Sequence, residues 1–272
     1  MNYRIIVFAI CVISITLFQP ESRAAGWSYR VAAFSGDVKV IEKGMTRKVA
    51  NDEALAAGSI VVTGSESFAD IVVGDVGLIR VDERTRIALS SLVGQGTDET
   101  SDIDLVTGKI QAVFTKLARD ARFEVKSMTQ LASVRGTAFQ VFAEGDESGV
   151  EVLSGEVMVH PVEDGRVIRG ISERVKEGRV LRIKRSQVRD VIARRARLAS
   201  QDMDEADLDR LTSRFERIRS TRRFETLNKG LRDEINKTIK RKKSGEGLKK
   251  SGKEQMKKKM ERREKIMRRG SR

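Results

Sequence analysis

One histidine, one cysteine and 39 carboxylates limit the chemistry open to this 272-residue chain. A metal site built on imidazoles needs several of them converging on one ion. His160 stands alone beside Pro161, with no second histidine for a metal and no support for a Ser-His-Asp relay. Cys11 lies inside an N-terminal apolar run, and Phe8-Ala9-Ile10 before it is a poor lipidation signal. A chain cut behind that run keeps no thiol nucleophile, no disulfide and no cysteine ligand for zinc. Paired carboxylates can hydrolyse glycosides, but Asp70, Asp75, Asp82 and Glu83 sit at strand–turn positions typical of solvated faces. Asp98, Glu99, Asp102 and Asp104 crowd together, yet calcium wants ligands converging on one point. Neither a P-loop nor a dinucleotide-binding glycine fingerprint occurs. The expectation is a non-enzyme with no cofactor and no metal.

Charge offers a different chemistry, the binding of anions. The formal net charge is +14. From Val188 onward there are 29 basic and 14 acidic residues, against 24 and 25 before it. Lys237–Arg272 alone holds 17 basic and 4 acidic residues, with Lys240, Arg241, Lys242, Lys243, Lys257, Lys258, Lys259, Arg262 and Arg263 as candidate contacts to an anionic surface. Such a block seeks lipid headgroups, an acidic envelope polymer or nucleic acid. Nucleic acid is disfavoured, because the tail lacks the rings that stack on single-stranded bases.

These residues need elements to hold them. Arg4, an apolar run from Ile5 to Phe18, then Pro20 and Ser22-Arg23-Ala24 read as an export signal over 1–24, cut after Ala24. The expected location is therefore periplasmic or secreted. From 27 to 185 short β-branched runs alternate with Gly, Asp and Ser, the pattern of an all-β domain. Four turns share one form: Gly36-Asp37-Val38, Gly108-Lys109-Ile110, Gly155-Glu156-Val157 and Gly178-Arg179-Val180. They read as repeated turn chemistry rather than as ligand loops. Gln111–Ala118 fits either a short helix or a continued strand, and Gly94–Asp102 reads as an exposed loop.

Over 187–236 the period changes to that of amphipathic helices. Val188, Val191/Ile192 and Leu198/Ala199 form one stripe. Leu208, Leu211, Phe215 and Ile218 form a second, and Phe224, Leu227, Leu231 and Ile235 a third. Asp202 with Glu205 suggests a capping box. The stripes suit a coiled-coil seam between copies or docking on the chain's own β-domain equally well. The tail, 237–272, has too few apolar residues for a core and is expected to be disordered or a solvated helix.

The β-region resembles the FecR-like domain, the family of the iron-dicitrate transport regulator, from about Phe34 to Ile183. Leu55-x-x-Gly58 with Val62-Thr63-Gly64, Leu105-x-x-Gly108-Lys109-Ile110, Val152-Leu153-x-Gly155-Glu156-Val157 and Val175-x-Glu177-Gly178 follow the family order. Val134-Arg135-Gly136-Thr137-x-Phe139 is the hallmark. Ser127-Met128 stands where the family often has Thr-Pro. The resemblance implies an all-β domain, a twisted solenoid or sandwich, outside the cytoplasm. Family regulators receive a signal from an outer-membrane receptor and relay it to a sigma factor. With only about four residues before the apolar run, no sigma-factor contact is expected here.

Physical chemistry suggests roles within the hallmark. Val134 and Phe139 are core residues, and Gly136 permits a kink between strands. Arg135 either grips a ligand carboxylate or phosphate or, as the favoured role, ties down nearby carbonyls or an acid. Thr137 bonds nearby backbone. The sequence thus reads as an exported, non-catalytic sensing, scaffold or protein-binding module with an unidentified envelope partner. The alternative is an anionic-polymer or anionic-membrane binder acting through its tail.

Overall fold

The computed structural model describes residues 28–89, 102–115, 117, 122–220 and 229–244. The export signal with Cys11, most of the 94–102 loop including Asp98 and Glu99, Phe224, Leu227 and the tail beyond 244 lie outside the described residues.

Alternation of apolar and polar residues builds the strands, and turns at Gly, Asp and Asn end them. In chain order they are β1 (Tyr29–Ser35), β2 (Val38–Glu42), β3 (Met45–Lys48), β4 (Ala54–Leu55), β5 (Ile60–Thr63), β6 (Phe68–Val73), β7 (Gly77–Val81), β8 (Arg86–Leu89) and β9 (Ile103–Phe114). There follow β10 (Phe123–Lys126), β11 (Gln130–Val134), β12 (Ala138–Glu144), β13 (Glu147–Ser154), β14 (Glu156–Glu163), β15 (Arg166–Val167), β16 (Glu173–Lys176), β17 (Arg179–Lys184) and β18 (Gln201–Asp202).

Hydrogen bonds connect them as one strand-rich sheet folded into two layers. The first layer runs β4-β1-β6-β7-β9-β12-β13-β17-β18. The second runs β3-β2-β5-β8-β9-β10-β11-β14-β16. All these pairings are antiparallel except β9 with β10. Strand β9 belongs to both layers: Ile103–Thr107 pairs with β8, and Gly108–Phe114 with β7 and β12.

The repeated glycine turns mark where the chain passes from one layer to the other. Gly36 joins β1 to β2, Gly136 joins β11 to β12, Gly155 joins β13 to β14, and Gly178 joins β16 to β17, all with φ between +78° and +126°. Gly108 bends β9 itself at φ +95°. The crossings also bond to one another. Glu177 N–H donates to the Gly155 carbonyl at 2.9 Å, and Gly178 N–H to that of Val152 at 2.8 Å.

Every second residue of each layer points between the layers. Val31, Ile71, Ile79, Ile110, Phe139 and Val150 from the first meet Val40, Val61, Ile87, Phe123, Ala132 and Val157 from the second, all fully buried. Phe114 and Phe123 stack with centroids 4.4 Å apart. Gln111–Phe114 is the end of strand β9, not a helix, and Thr115 N–H continues its bonding by donating to the Val76 carbonyl at 2.8 Å.

Three helices follow among the described residues: α1 (Arg185–Ile192), α2 (Glu205–Arg219) and α3 (Lys229–Lys243). Helix α1 buries Val188 and Val191 and ends sooner than its apolar spacing suggested. The cap of α2 is Asp204, whose carboxylate accepts from Asp207 N–H at 2.7 Å. Asp202 instead lies in β18 and pairs with Arg179 at 2.9 Å. The apolar stripes of α2 (Leu208, Leu211, Phe215, Ile218) and α3 (Leu231, Ile235, Ile239) pack on the outer face of the first layer. There they meet Leu78, Val113, Ala138, Leu153 and Val180, so the helices dock on their own β-domain.

Phe215 is 1% exposed at the centre of that contact. Truncating Phe215 to alanine is expected to destabilise the fold by about 3–5 kcal/mol through lost burial and a residual cavity. Chemical denaturation of the variant beside the parent chain measures this. Hydrogen exchange should show the loosening concentrated in α2 and α3.

Candidate functional site

The outer face of the first layer carries two parallel rows, because side chains two apart on a strand share a face. One is the apolar row under the helices. The other is polar and runs in register across five strands: Asp70, Arg80, Gln111, Gln140 and Glu151. Asp70 and Arg80 sit opposite each other and form a two-pronged pair. Arg80 Nε donates to Oδ1 and Nη2 to Oδ2, both at 2.7 Å. Their side chains are only 3% and 7% exposed, and the Arg80 guanidinium lies 4.4 Å from the Phe68 ring centre. Asp70 is therefore no solvated residue. The face that alternation assigns to water is covered.

The row continues by hydrogen bonds. Gln111 Nε2 donates to Gln140 Oε1 at 3.0 Å and to Asp82 Oδ2 at 3.3 Å. Gln140 Nε2 donates to Glu151 Oε2 at 2.8 Å. Arg214 of α2 reaches into it, 2.8 Å from Gln140 Oε1 and 3.3 Å from Asp82 Oδ2. Arg182 pairs with Glu151 at 3.4 Å. Beside the row, between β1, β6 and β7 and the end of α2, opens a cleft of about 980 Å³. Phe34, Phe68, Glu66, Glu83, Arg217 and Ser220 line it. The Arg80 guanidinium and the Gln140 amide of the row are already engaged within the protein. The arrangement can hold charge in fixed places and offer a partner a mixed aromatic and polar seat.

Burial raises the Glu151 carboxyl pKa, an effect opposed by Arg182 and reinforced by Asp207. A carboxyl with a raised folded-state pKa binds its proton more tightly folded than unfolded. Its ionisation therefore costs stability as pH climbs from the ordinary carboxylate range through the folded pKa. Glu151→Gln removes that cost and keeps an acceptor for Gln140. The variant should gain on the parent at neutral pH and lose the advantage in acid, as paired denaturation curves at the two pH values would show.

The hallmark residues fall at the crossing from β11 to β12. Val134 and Phe139 are 1% and 0% exposed. Gly136 has φ +126°. Arg135 is exposed, and its guanidinium meets no acceptor among the described residues. The tie is made instead by backbone: the Arg135 carbonyl accepts from Leu117 N–H at 3.2 Å, and that of Thr137 from Phe114 N–H at 3.0 Å. The buried Thr137 hydroxyl has no hydrogen-bond partner among the described residues, contrary to the bond expected of it.

Other candidate residues disperse. His160 Nδ1 donates to the Ile171 carbonyl at 3.0 Å, a structural contact. Asp102 accepts from Glu124 N–H at 2.7 Å, and Asp104 pairs with Lys126 at 3.3 Å, so the two carboxylates serve different neighbours. Burial, and then the Asp102 carboxylate, push the Tyr29 phenol well above its ordinary range. Two of the basic residues assigned to an anionic surface are committed elsewhere. Lys242, 5% exposed, and Arg241 grip Glu177 at 3.1 and 3.2 Å. Lys240 is exposed. Lys257, Lys258, Lys259, Arg262 and Arg263 lie outside the described residues. Among those residues no helix is long and apolar enough to cross a membrane.

Comparison with known proteins adds the following. The family model described as FecR protein matches residues 59–158, a shorter stretch than the motifs suggested. Two crystal structures of a candidate anti-sigma factor from Parabacteroides distasonis ATCC 8503, at 2.50 and 1.65 Å resolution, are similar. Each is 14% identical, with a TM-score of 0.40, over 53% of this chain and 60% of that one. This chain thus spans less than two thirds of those proteins' length. No curated protein matches. Proteins of the FecR family are regulators rather than enzymes, and their domain is periplasmic. The FecR family match also overturns the expectation that no sigma-factor contact occurs. That expectation rested on the few residues before the apolar run, and a sequence's first residues do not decide what a protein contacts. Residues 59–158 thus match the FecR domain, with the hallmark at the crossing from β11 to β12 inside the match.

Proposed function

We propose that this chain is a non-catalytic regulatory module of the cell envelope, which binds a protein partner through its FecR domain within a relay that governs a sigma factor. The observation that carries this reading is the FecR match over residues 59–158. An export leader over 1–24, a β-domain over 27–185, helices over 187–236 and a basic tail over 237–272 go with it. The partner's seat is the cleft beside the polar row. Phe34 and Phe68 supply apolar contact there, Glu66 and Glu83 supply charge at the rim, and the rigid sheet beneath holds them in place.

Site-specific photo-crosslinking in cells tests this. A crosslinker at Glu83, on the cleft rim, should give one discrete protein adduct, and one at Lys176, on β16 of the other layer, should not. No adduct at Glu83, or equal adducts at both positions, would count against the cleft as the binding seat.

A further inference from the structure

Several arginines on the surface of this domain face a carboxylate: Arg47 meets Glu42, Arg169 meets Glu124, Arg179 meets Asp202 and Arg182 meets Glu151. Arg194, Arg195 and Arg197 do not, and they stand together in one short loop. All three are exposed, and none forms an ion pair or side-chain hydrogen bond with the described residues. Asp190 is the one acid between Arg189 and Ala199.

The loop that carries them is firmly built. Four N–H groups close the end of α1 onto its carbonyls: Ala193 to Arg189 at 2.9 Å, Arg194 to Val191 at 3.1 Å, and Arg195 and Ala196 to Asp190 at 2.8 and 3.1 Å. Leu198 packs against the core. Ser200 is clamped by Glu173, at 3.1 Å through its N–H and 2.8 Å through its hydroxyl, and by Arg179 at 2.9 Å. Arg194 itself sits at φ +58°. That left-handed position after a helix usually belongs to glycine, and a side chain there costs stability. No contact within the described residues explains an arginine at this position.

We propose that the 193–199 loop is a docking surface for the phosphate headgroups of an anionic membrane. The guanidinium fork matches phosphate oxygens in two-pronged fashion and sheds its hydration more readily than an ammonium. The loop projects three such forks from a fixed backbone, which suits an array of headgroups. A protein partner would be expected to find an aromatic or large aliphatic anchor. The other exposed residues of the loop are Ala193, Ala196 and Ala199. Single-stranded nucleic acid would want rings to stack on, and the loop has none. Lys184 and Arg185, both exposed, add positive charge along α1, where Arg189 faces Glu163 at 3.6 Å. This contact is separate from the cleft and does not depend on which protein the FecR domain binds.

The test is co-sedimentation of the full chain with vesicles of phosphatidylcholine alone or mixed with phosphatidylglycerol, at low and high salt. The parent chain should bind the mixed vesicles at low salt and leave the neutral ones unbound. The triple variant R194G/R195S/R197S should partition about 100-fold less at low salt and show a shallower salt dependence. Glycine suits the left-handed position, so this variant should melt no lower than the parent. R195E/R197E should bind still less. A second triple, K257S/K258S/K259S, measures the tail separately. Unchanged binding by the arginine triple, whether or not the tail triple loses it, would overturn the proposal. So would generic duplex DNA displacing the protein from vesicles at equal phosphate.

Discussion

Replacing Asp70 by alanine is expected to remove about 3–5 kcal/mol of stability, because it strands the Arg80 charge in a buried place. Asp70 supplies both acceptors of a two-pronged bond, and neither partner is more than 7% exposed. Asp70→Asn should cost less, since the amide oxygen still accepts one bond. Asp70→Leu with Arg80→Met should recover most of the loss, because an apolar pair of similar volume avoids desolvating two charges. A double-mutant cycle by chemical denaturation separates the pair's coupling from the general cost of truncation. The folded fraction of Asp70→Ala should also lose protection around β6 and β7 first. Equal losses for alanine and asparagine would show that the pair is not the source.

Gly108→Ala should be the other costly change. Glycine is needed there for two separable reasons. Its φ of +95° lies outside the region that side chains tolerate. A β-carbon would also stand 2.6 Å from the Thr85 Cα and 2.2 Å from its hydroxyl. Strain of about 1–3 kcal/mol from the torsion adds to about 1–3 kcal/mol of overpacking. Thr85 cannot retreat easily. Its hydroxyl accepts from Lys109 N–H at 3.0 Å and donates to the Glu83 carbonyl at 2.9 Å. Gly44 provides the comparison. It has φ +79° and open space where a β-carbon would point. Gly44→Ala should therefore show the torsional cost alone, and Gly108→Ala roughly twice that. The difference in denaturation midpoints at equal slope reads it directly. Equal effects would mean that the close approach at the bend of β9 contributes nothing.

Much of the β-domain was legible because its physical cause is local. Short β-branched runs separated by Gly and Asp mark strands wherever one face is wet. The four glycine turns were visible as a repeated form, though not as crossings, since a turn does not say which layer its next strand joins. Legibility failed where both faces are covered. In Gln111-Ala112-Val113-Phe114 the inward residues face the core and Val113 faces α2 and α3, so alternation vanishes and helix and strand read alike. Asp70 was misplaced for the same reason. A polar residue on the alternate face implies water unless something distant covers it. One signal was available: Asp70 and Arg80 lie equally far from the turn at Asp75, which puts them opposite in a hairpin.

The helical stripes were legible as stripes, but their partner was not, because an apolar face does not name what it meets. The cap fell at Asp204 rather than Asp202 because Arg179 draws Asp202 into β18. Arg241 and Lys242 looked like the start of a solvated tail. Their commitment to Glu177 depends on a contact across 64 and 65 residues of chain, which no local pattern reports.

The claim that this FecR domain regulates by binding is tested most directly by gene expression. Transcripts would be compared between cells that make the intact chain and cells that lack it, under matched growth. A regulator of this kind predicts a coordinated change in one set of genes sharing a promoter class read by a single sigma factor, reversed when the chain is restored. Coincident profiles in the two strains would contradict it.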